Sequence, residues 1–210
     1  MGRKHISRRR LLKDLACAGV CAPLVIRDRR LLAPALAMSV DHPGPRSRNE
    51  LTESDDAFLE DLEKSNFFFF WEQTNPQTGM VKDRCNVRAP DARILGSIAA
   101  TGFGLTALCI GDKRGFVSQR EARDRVLTTL RFVRKKLPTE RGFYYHWCNI
   151  NTGERVLQSE VSSVDTAILL CGVMTCSGYF QHSEISELAH EILNRVDWNW
   201  LSEDTRVLPH

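Results

Sequence analysis

Two runs in this sequence, ARILGSIAATGFGLTALCIG (residues 92–111) and SSVDTAILLCGVMTCS (162–177), are apolar or small nearly all the way round a helical projection. A helix of that kind is stable in water only when other elements enclose it on most sides. The rest of the chain supplies the enclosure in alternation. Stretches 51–74, 118–137 and 183–198 place apolar residues at helical spacing on one face and charges on the other. The order amphipathic, apolar, amphipathic, apolar, amphipathic predicts an all-α chain in two layers, with outer helices covering inner ones. Local start and stop signals agree. Thr52 and Ser54 are candidate caps for the first helix, Ser118 with Glu121 forms a capping-box pattern before the third, Pro138 ends it, and Ser162-x-x-Asp165 opens the fourth.

The connections alternate too. Residues 74–91 and 138–161 form long links and the other two are short. Long links without a helix of their own are usually functional, whereas short ones join antiparallel neighbours, so the long ones should gather at one end of the layers. They hold GMVKDRC (79–85) and RGFYYHWCNINTGERVLQSE (141–160). Within the second, GFYYHW and ERVLQ flank NINTG and predict a small β-hairpin.

Hydrolysis of a glycosidic bond needs two carboxyl groups, with aromatic platforms for the sugar rings. This end of the chain offers Asp83, Glu154 and Glu160 beside Tyr144, Tyr145, His146 and Trp147. Each residue also has a plain structural reading. Asp165 completes the S-x-x-D cap, Glu160 can serve the dipole of the following helix, and Asp83 can pair with Arg84. His146 alone can be a hydrogen-bonded structural group, and the run Phe67–Phe70 is core packing.

Charge narrows the classes of partner. The overall +3 comes from the first thirty residues, which hold nine Lys/Arg against Asp14 and Asp28, so the body is mildly acidic. A nucleic-acid surface would need basic excess in the folded part. The N-terminus instead reads as an export signal over residues 1–40. It has a basic start with Ser7-Arg8-Arg9-Arg10-Leu11-Leu12-Lys13, similar to a twin-arginine signal, an apolar run Leu15–Ile26, and Ala35-Leu36-Ala37 as a cleavage site, with Arg27–Arg30 interrupting it. That reading implies the twin-arginine export machinery as a partner, a periplasmic or secreted location, and no stable membrane span after processing. Residues 41–53 read as a linker. Five cysteines outside the signal (Cys85, Cys109, Cys148, Cys171, Cys176) contain no C-x-x-C pair, so neither a zinc site nor a disulfide framework is indicated.

Four stretches in order, NPQTGMVKDR, GSIAATGFGLTALCIG, GFYYHWCNINTGER and SEVSSVDTAILLCGVM, resemble the glycoamylase-like family of bacterial (α/α)6-toroid proteins, whose characterised members include endo-β-1,2-glucanases. The resemblance covers about residues 55–200 and implies part of a toroid of alternating outer and inner helices, with a glucan or oligosaccharide substrate, no cofactor and no metal. It implies Glu160 as general acid, kept protonated by burial, with Asp83, Arg84, Tyr145, His146, Trp147 and Asp165 touching substrate. A whole toroid has twelve helices and this sequence supplies five. The expectation is therefore an N-terminal part over residues 54–210, truncated and inactive by itself, with large apolar patches where neighbouring helices would stand. Two other readings compete: a non-catalytic carbohydrate-binding fragment, and a helical-repeat interaction protein, which the irregular loop lengths disfavour.

Overall fold

In a computed structural model of the chain, residues 51–202 are described. The proposed export signal, and the linker as far as Glu50, lie outside the described residues. The chain divides into two compact units, residues 1–57 and 58–210. The described part of the first is the opening of helix α1 (Glu53–Glu72), where Thr52 is the cap. The Asp55 amide donates to the Thr52 hydroxyl (3.1 Å) and the Thr52 amide to the Asp55 carboxylate (3.0 Å).

In the second unit the order is the remainder of α1, β1 (Leu95–Ser97), α2 (Ile98–Arg114), α3 (Gln119–Lys135), β2 (Thr139–Glu140), β3 (Phe143–Tyr144), β4 (Trp147–Asn149), α4 (Ser163–Phe180), α5 (Ser183–Asn194) and α6 (Trp198–Ser202). Helices α2 and α4 pack directly against each other. A methyl placed on Gly172 would lie 2.2 Å from the Gly102 carbonyl oxygen, and one on Gly102 would lie 2.5 Å from that of Ile168. Backbone meets backbone there, a distance open only to glycine. Seven residues beyond Gly102, Cys109 meets Cys176, so contacts advance in the same direction along both helices and the pair is parallel.

The outer helices obey the same rule. Arg131 pairs with Glu184 and Arg134 with Glu191, so α3 and α5 also run parallel. Each outer helix runs antiparallel to an inner one. Phe70 of α1 faces Gly104 and Phe67 packs on Gly111, with Arg114 at the far end of α2 held by Glu60 and Glu63. This is one arc of alternating outer and inner helices, as the periodicity predicts. Leu105, Val126, Leu130, Val133, Leu169, Val173, Ile185 and Ile192 are buried between the layers. Helix α4 is also long and apolar enough to cross a membrane by length and composition alone. Its packing on α2 accounts for part of that composition, since Val164 and Met174 remain exposed.

Two details differ from the sequence-based expectation. The second helix begins at Ile98, not Ala92: Ser97 is extended and its hydroxyl accepts from the Ala100 amide, which starts the helix there. The residues just before it form β1, which pairs antiparallel with β4 through Leu95–Asn149, Gly96–Cys148 and Ser97–Trp147. The hairpin around Asn149–Gly153 is present as a reversal, with the Gly153 amide bonded to the Asn149 carbonyl and the Glu154 carbonyl accepting from Asn149. Its arms are joined by one bridge, Cys148 to Arg155, and by the Val156 amide donating to the Trp147 carbonyl, on the edge of β4 opposite the one that β1 uses.

The parallel inner helices have a direct consequence. Both long links lead into inner-helix N-termini, so they meet at one end. Lys82 bridges Gly96, Gly96 pairs with Cys148, and Cys148 bridges Arg155, which sets four extended segments side by side across that end.

Candidate active site

The link from α3 to α4 folds so that Tyr145 bridges Val161 and the His146 amide donates to the Glu160 carbonyl (3.1 Å). That pairing brings together side chains fourteen residues apart: His146 Nδ1 lies 2.9 Å from Glu160 Oε1. The first turn of α4 adds Asp165, whose Oδ2 lies 3.6 Å from the same nitrogen. Ser162 caps α4 by accepting from the Asp165 amide (3.1 Å). In α3 the matching Glu121 returns its carboxylate to the Ser118 amide and completes a capping box. Asp165 turns its carboxylate toward His146 instead, so the box expected from the sequence is half made.

The turn that presents Glu160 is bent and clamped. Leu157 and Gln158 both have positive φ (56° and 49°), a conformation costly for residues with side chains. Arg155 donates to the Gln158 carbonyl (2.8 Å) and lies over the Tyr145 ring at 4.4 Å. Ser159, 2% exposed, donates to the Trp147 carbonyl (3.2 Å) and accepts from its amide (3.3 Å). Neither Arg155 nor Ser159 stands out in the sequence. Their role comes from a backbone reversal with no glycine or proline to mark it.

Glu160 does not have the environment expected of a protonated acid. Its side chain is 60% exposed. Its own backbone amide and His146 both hydrogen-bond the carboxylate and hold its pKa below the ordinary glutamate value. In the free site it is a carboxylate. The Glu160 and Asp165 oxygens lie within 4.8 Å of one another, with His146 between them. Acid–base pairs that admit a water beneath a sugar stand about 6.5–9.5 Å apart, so these two are not spaced as an inverting pair. One imidazole and two carboxylates are also a donor set that a divalent cation accepts.

The aromatic residues lie beside this cluster. His146 and Trp147 stack with ring centres 4.2 Å apart at 26°. The Trp147 indole nitrogen is buried with no hydrogen-bond partner. Tyr145, Trp147 and Arg155 border a small hollow that opens to solvent. The surface is therefore a rim. Asp83 sits on the neighbouring link, its amide bonded to the Leu95 carbonyl (3.0 Å) and its carboxylate to Arg84 (2.5 Å), the ion pair anticipated as its plain reading. Counted across the extended segments, Asp83 and Glu160 are on the order of 15–20 Å apart at their backbones. The structure thus brings Glu160, His146, Trp147 and Asp165 into one cluster with Tyr145 at its edge, and leaves Asp83 and Arg84 at a distance along the same end.

No protein-family model matches the chain. An exo-β-1,2-glucooligosaccharide sophorohydrolase (non-reducing end) of Parabacteroides distasonis is 24% identical over 160 residues, which are 71% of this chain and 22% of that protein. Among solved structures, a candidate glucoamylase from Bacteroides fragilis has a TM-score of 0.63 and 28% identity, covering 78% of this chain and 41% of its own. The endo-β-1,2-glucanase of Chitinophaga pinensis, in complex with sophorotriose and glucose, has a TM-score of 0.65 at 24% identity, covering 73% and 39%. The fold is thus the helical toroid of these proteins, present in part. The chain is thus similar in sequence and fold to part of these glycoamylase-like toroid proteins, and it spans about a fifth of the curated relative and about two fifths of these two solved chains.

Proposed function

We propose that this chain forms the carboxylate-bearing rim of a glycoside hydrolase acting on a β-glucan, with β-1,2-linked glucose as the substrate because two of the relatives named above are β-1,2-glucan hydrolases. The observation that carries the reading is the convergence of Glu160, His146 and Trp147 at the N-terminal end of two parallel inner helices. Stacked rings offer a platform to a sugar face, and helix N-termini favour charge developing as negative. Glu160 is the proton-exchanging group. Being ionised when free, it becomes a donor only when bound glucan strips water from it and raises its pKa. Asp83 and Arg84 then contact a sugar further along the chain.

The test is Glu160→Gln in the full chain, assayed on β-1,2-glucooligosaccharides by product release and tryptophan fluorescence. Turnover falls at least about 100-fold while the binding midpoint moves less than about threefold. Unchanged turnover refutes the assignment. A second reading, a glycan-binding surface without catalysis, is favoured by the close approach of Glu160 and Asp165. It predicts saturable fluorescence change with no product from either form.

A further inference from the structure

The described part of the chain holds a feature that the rim chemistry does not use: Cys109 of α2 and Cys176 of α4, with sulfurs 3.7 Å apart and both thiols buried. They lie 67 residues apart in sequence, face to face across the seam between the parallel inner helices. Both thiols point at one acceptor, the Leu105 carbonyl, at 3.6 Å from Cys109 and 3.3 Å from Cys176. The glycine contact at Gly102–Gly172 holds the two backbones close and so aims the side chains at each other.

We propose that Cys109 and Cys176 form a redox-linkable pair, a disulfide site that staples the two inner helices together. A disulfide needs its sulfurs to close to about 2.05 Å, with the two β-carbons about 3.5–4.5 Å apart, and sulfurs already in contact reach that by side-chain rotation. The chemistry is thiol–disulfide exchange with a low-molecular-weight disulfide such as oxidised glutathione. One cysteine thiolate attacks a glutathione sulfur, forming a mixed disulfide and releasing one glutathione. The second thiolate then attacks the protein-bound sulfur of that mixed disulfide and releases the other. Two protein thiols are oxidised, two electrons and two protons pass to the glutathione disulfide, and two glutathione molecules leave.

The folded seam resists this step. Cys109 beside it and burial hold the Cys176 thiol well above its usual pKa, so it is protonated, and no oxidant enters the packed interface. The bond therefore forms while the chain is folding, or when α2 and α4 part, and once formed it is sheltered from reductant. Among the described residues, exposed Cys171, on another face of α4, and half-exposed Cys85 are the thiols that reagents reach in the folded state.

The full chain is refolded from denaturant in a glutathione–glutathione disulfide buffer, alkylated, and digested without reduction. The expected product is one linked peptide pair containing Cys109 and Cys176, two hydrogens lighter than the separate thiol peptides. The oxidised protein melts higher than the reduced protein by roughly 10 °C, as closure of a long loop in the unfolded chain predicts, and dithiothreitol added during unfolding removes the difference. Cys176→Ala removes the linked peptide and the redox dependence together. Should that variant fail to fold, peptide mapping of the unaltered chain decides by itself. Recovery of both cysteines as alkylated free thiols, or linkage spread over Cys85, Cys148 and Cys171, overturns the proposal.

Discussion

Glu160 shows how a residue's neighbours, and not its position in the chain, determine its proton. Two hydrogen bonds and solvent exposure keep it charged, with its pKa below the ordinary value. The sign follows. A group with a depressed folded pKa favours the folded arrangement above its unfolded pKa, and loses that contribution as pH falls through the folded value. Because the side chain is mostly exposed, the effect on stability is small and screened by solvent. The measurable consequence lies on the group itself. His146→Ala raises the Glu160 pKa toward the ordinary value, part of the way only, because the backbone amide remains, and a carboxyl-carbon NMR titration reads the shift. An unmoved titration curve would mean that the imidazole contact is not formed in solution. The residue types at this site were legible from the sequence, but their states were not. That His146 would bridge to Glu160 and Asp165 depends on the Tyr145–Val161 pairing, and nothing in residue spacing announces it.

At the scale of elements, caps and periodicity carried well. Ser118 with Glu121 and Ser162 start helices where the pattern places them. The strands carried poorly, since β1 and β4 are three residues each and are defined by one another. The sharpest element-level feature is the Gly102–Gly172 contact. Gly172→Ala tests it with two opposed terms: alanine improves helix propensity by about 1 kcal/mol, whereas a methyl driven into backbone oxygen costs about 1–3 kcal/mol or more. The methyl would meet the Gly102 carbonyl, which cannot rotate away as a side chain would, so the clash wins. The expected result is a lower melting temperature, and a rise would show that the inner helices sit further apart than described. Surface pairs such as Arg131–Glu184 and Arg134–Glu191 mark the parallel packing of α3 and α5 but contribute little each.

For the molecule as a whole, the arc leaves apolar side chains facing water. Phe103 and Ile110 share a face of α2 and are 56% and 36% exposed, and Val164 and Met174 on α4 are 59% and 58% exposed. These side chains belong to the two runs that the sequence reads as apolar nearly all the way round. Apolar patches of this kind drive association. The purified chain is therefore expected to self-associate in light scattering. Replacing Phe103 and Met174 together by serine shifts it toward monomer with little loss of melting temperature, since neither side chain is buried. A wild-type chain that is monomeric at high concentration would contradict this.

By itself the sequence determined the five longer helices though not α6, which of them are inner and outer, and which links are long, because periodicity and capping are local properties of neighbouring residues. The tertiary structure alone decided the direct parallel contact of the inner helices, the strand partners across the end where the long links gather as their lengths predict, and that a glutamate met in the sequence as an acid stands there ionised. Helix direction, strand partner and pKa are set by groups far apart in the chain, and only folding makes those groups neighbours.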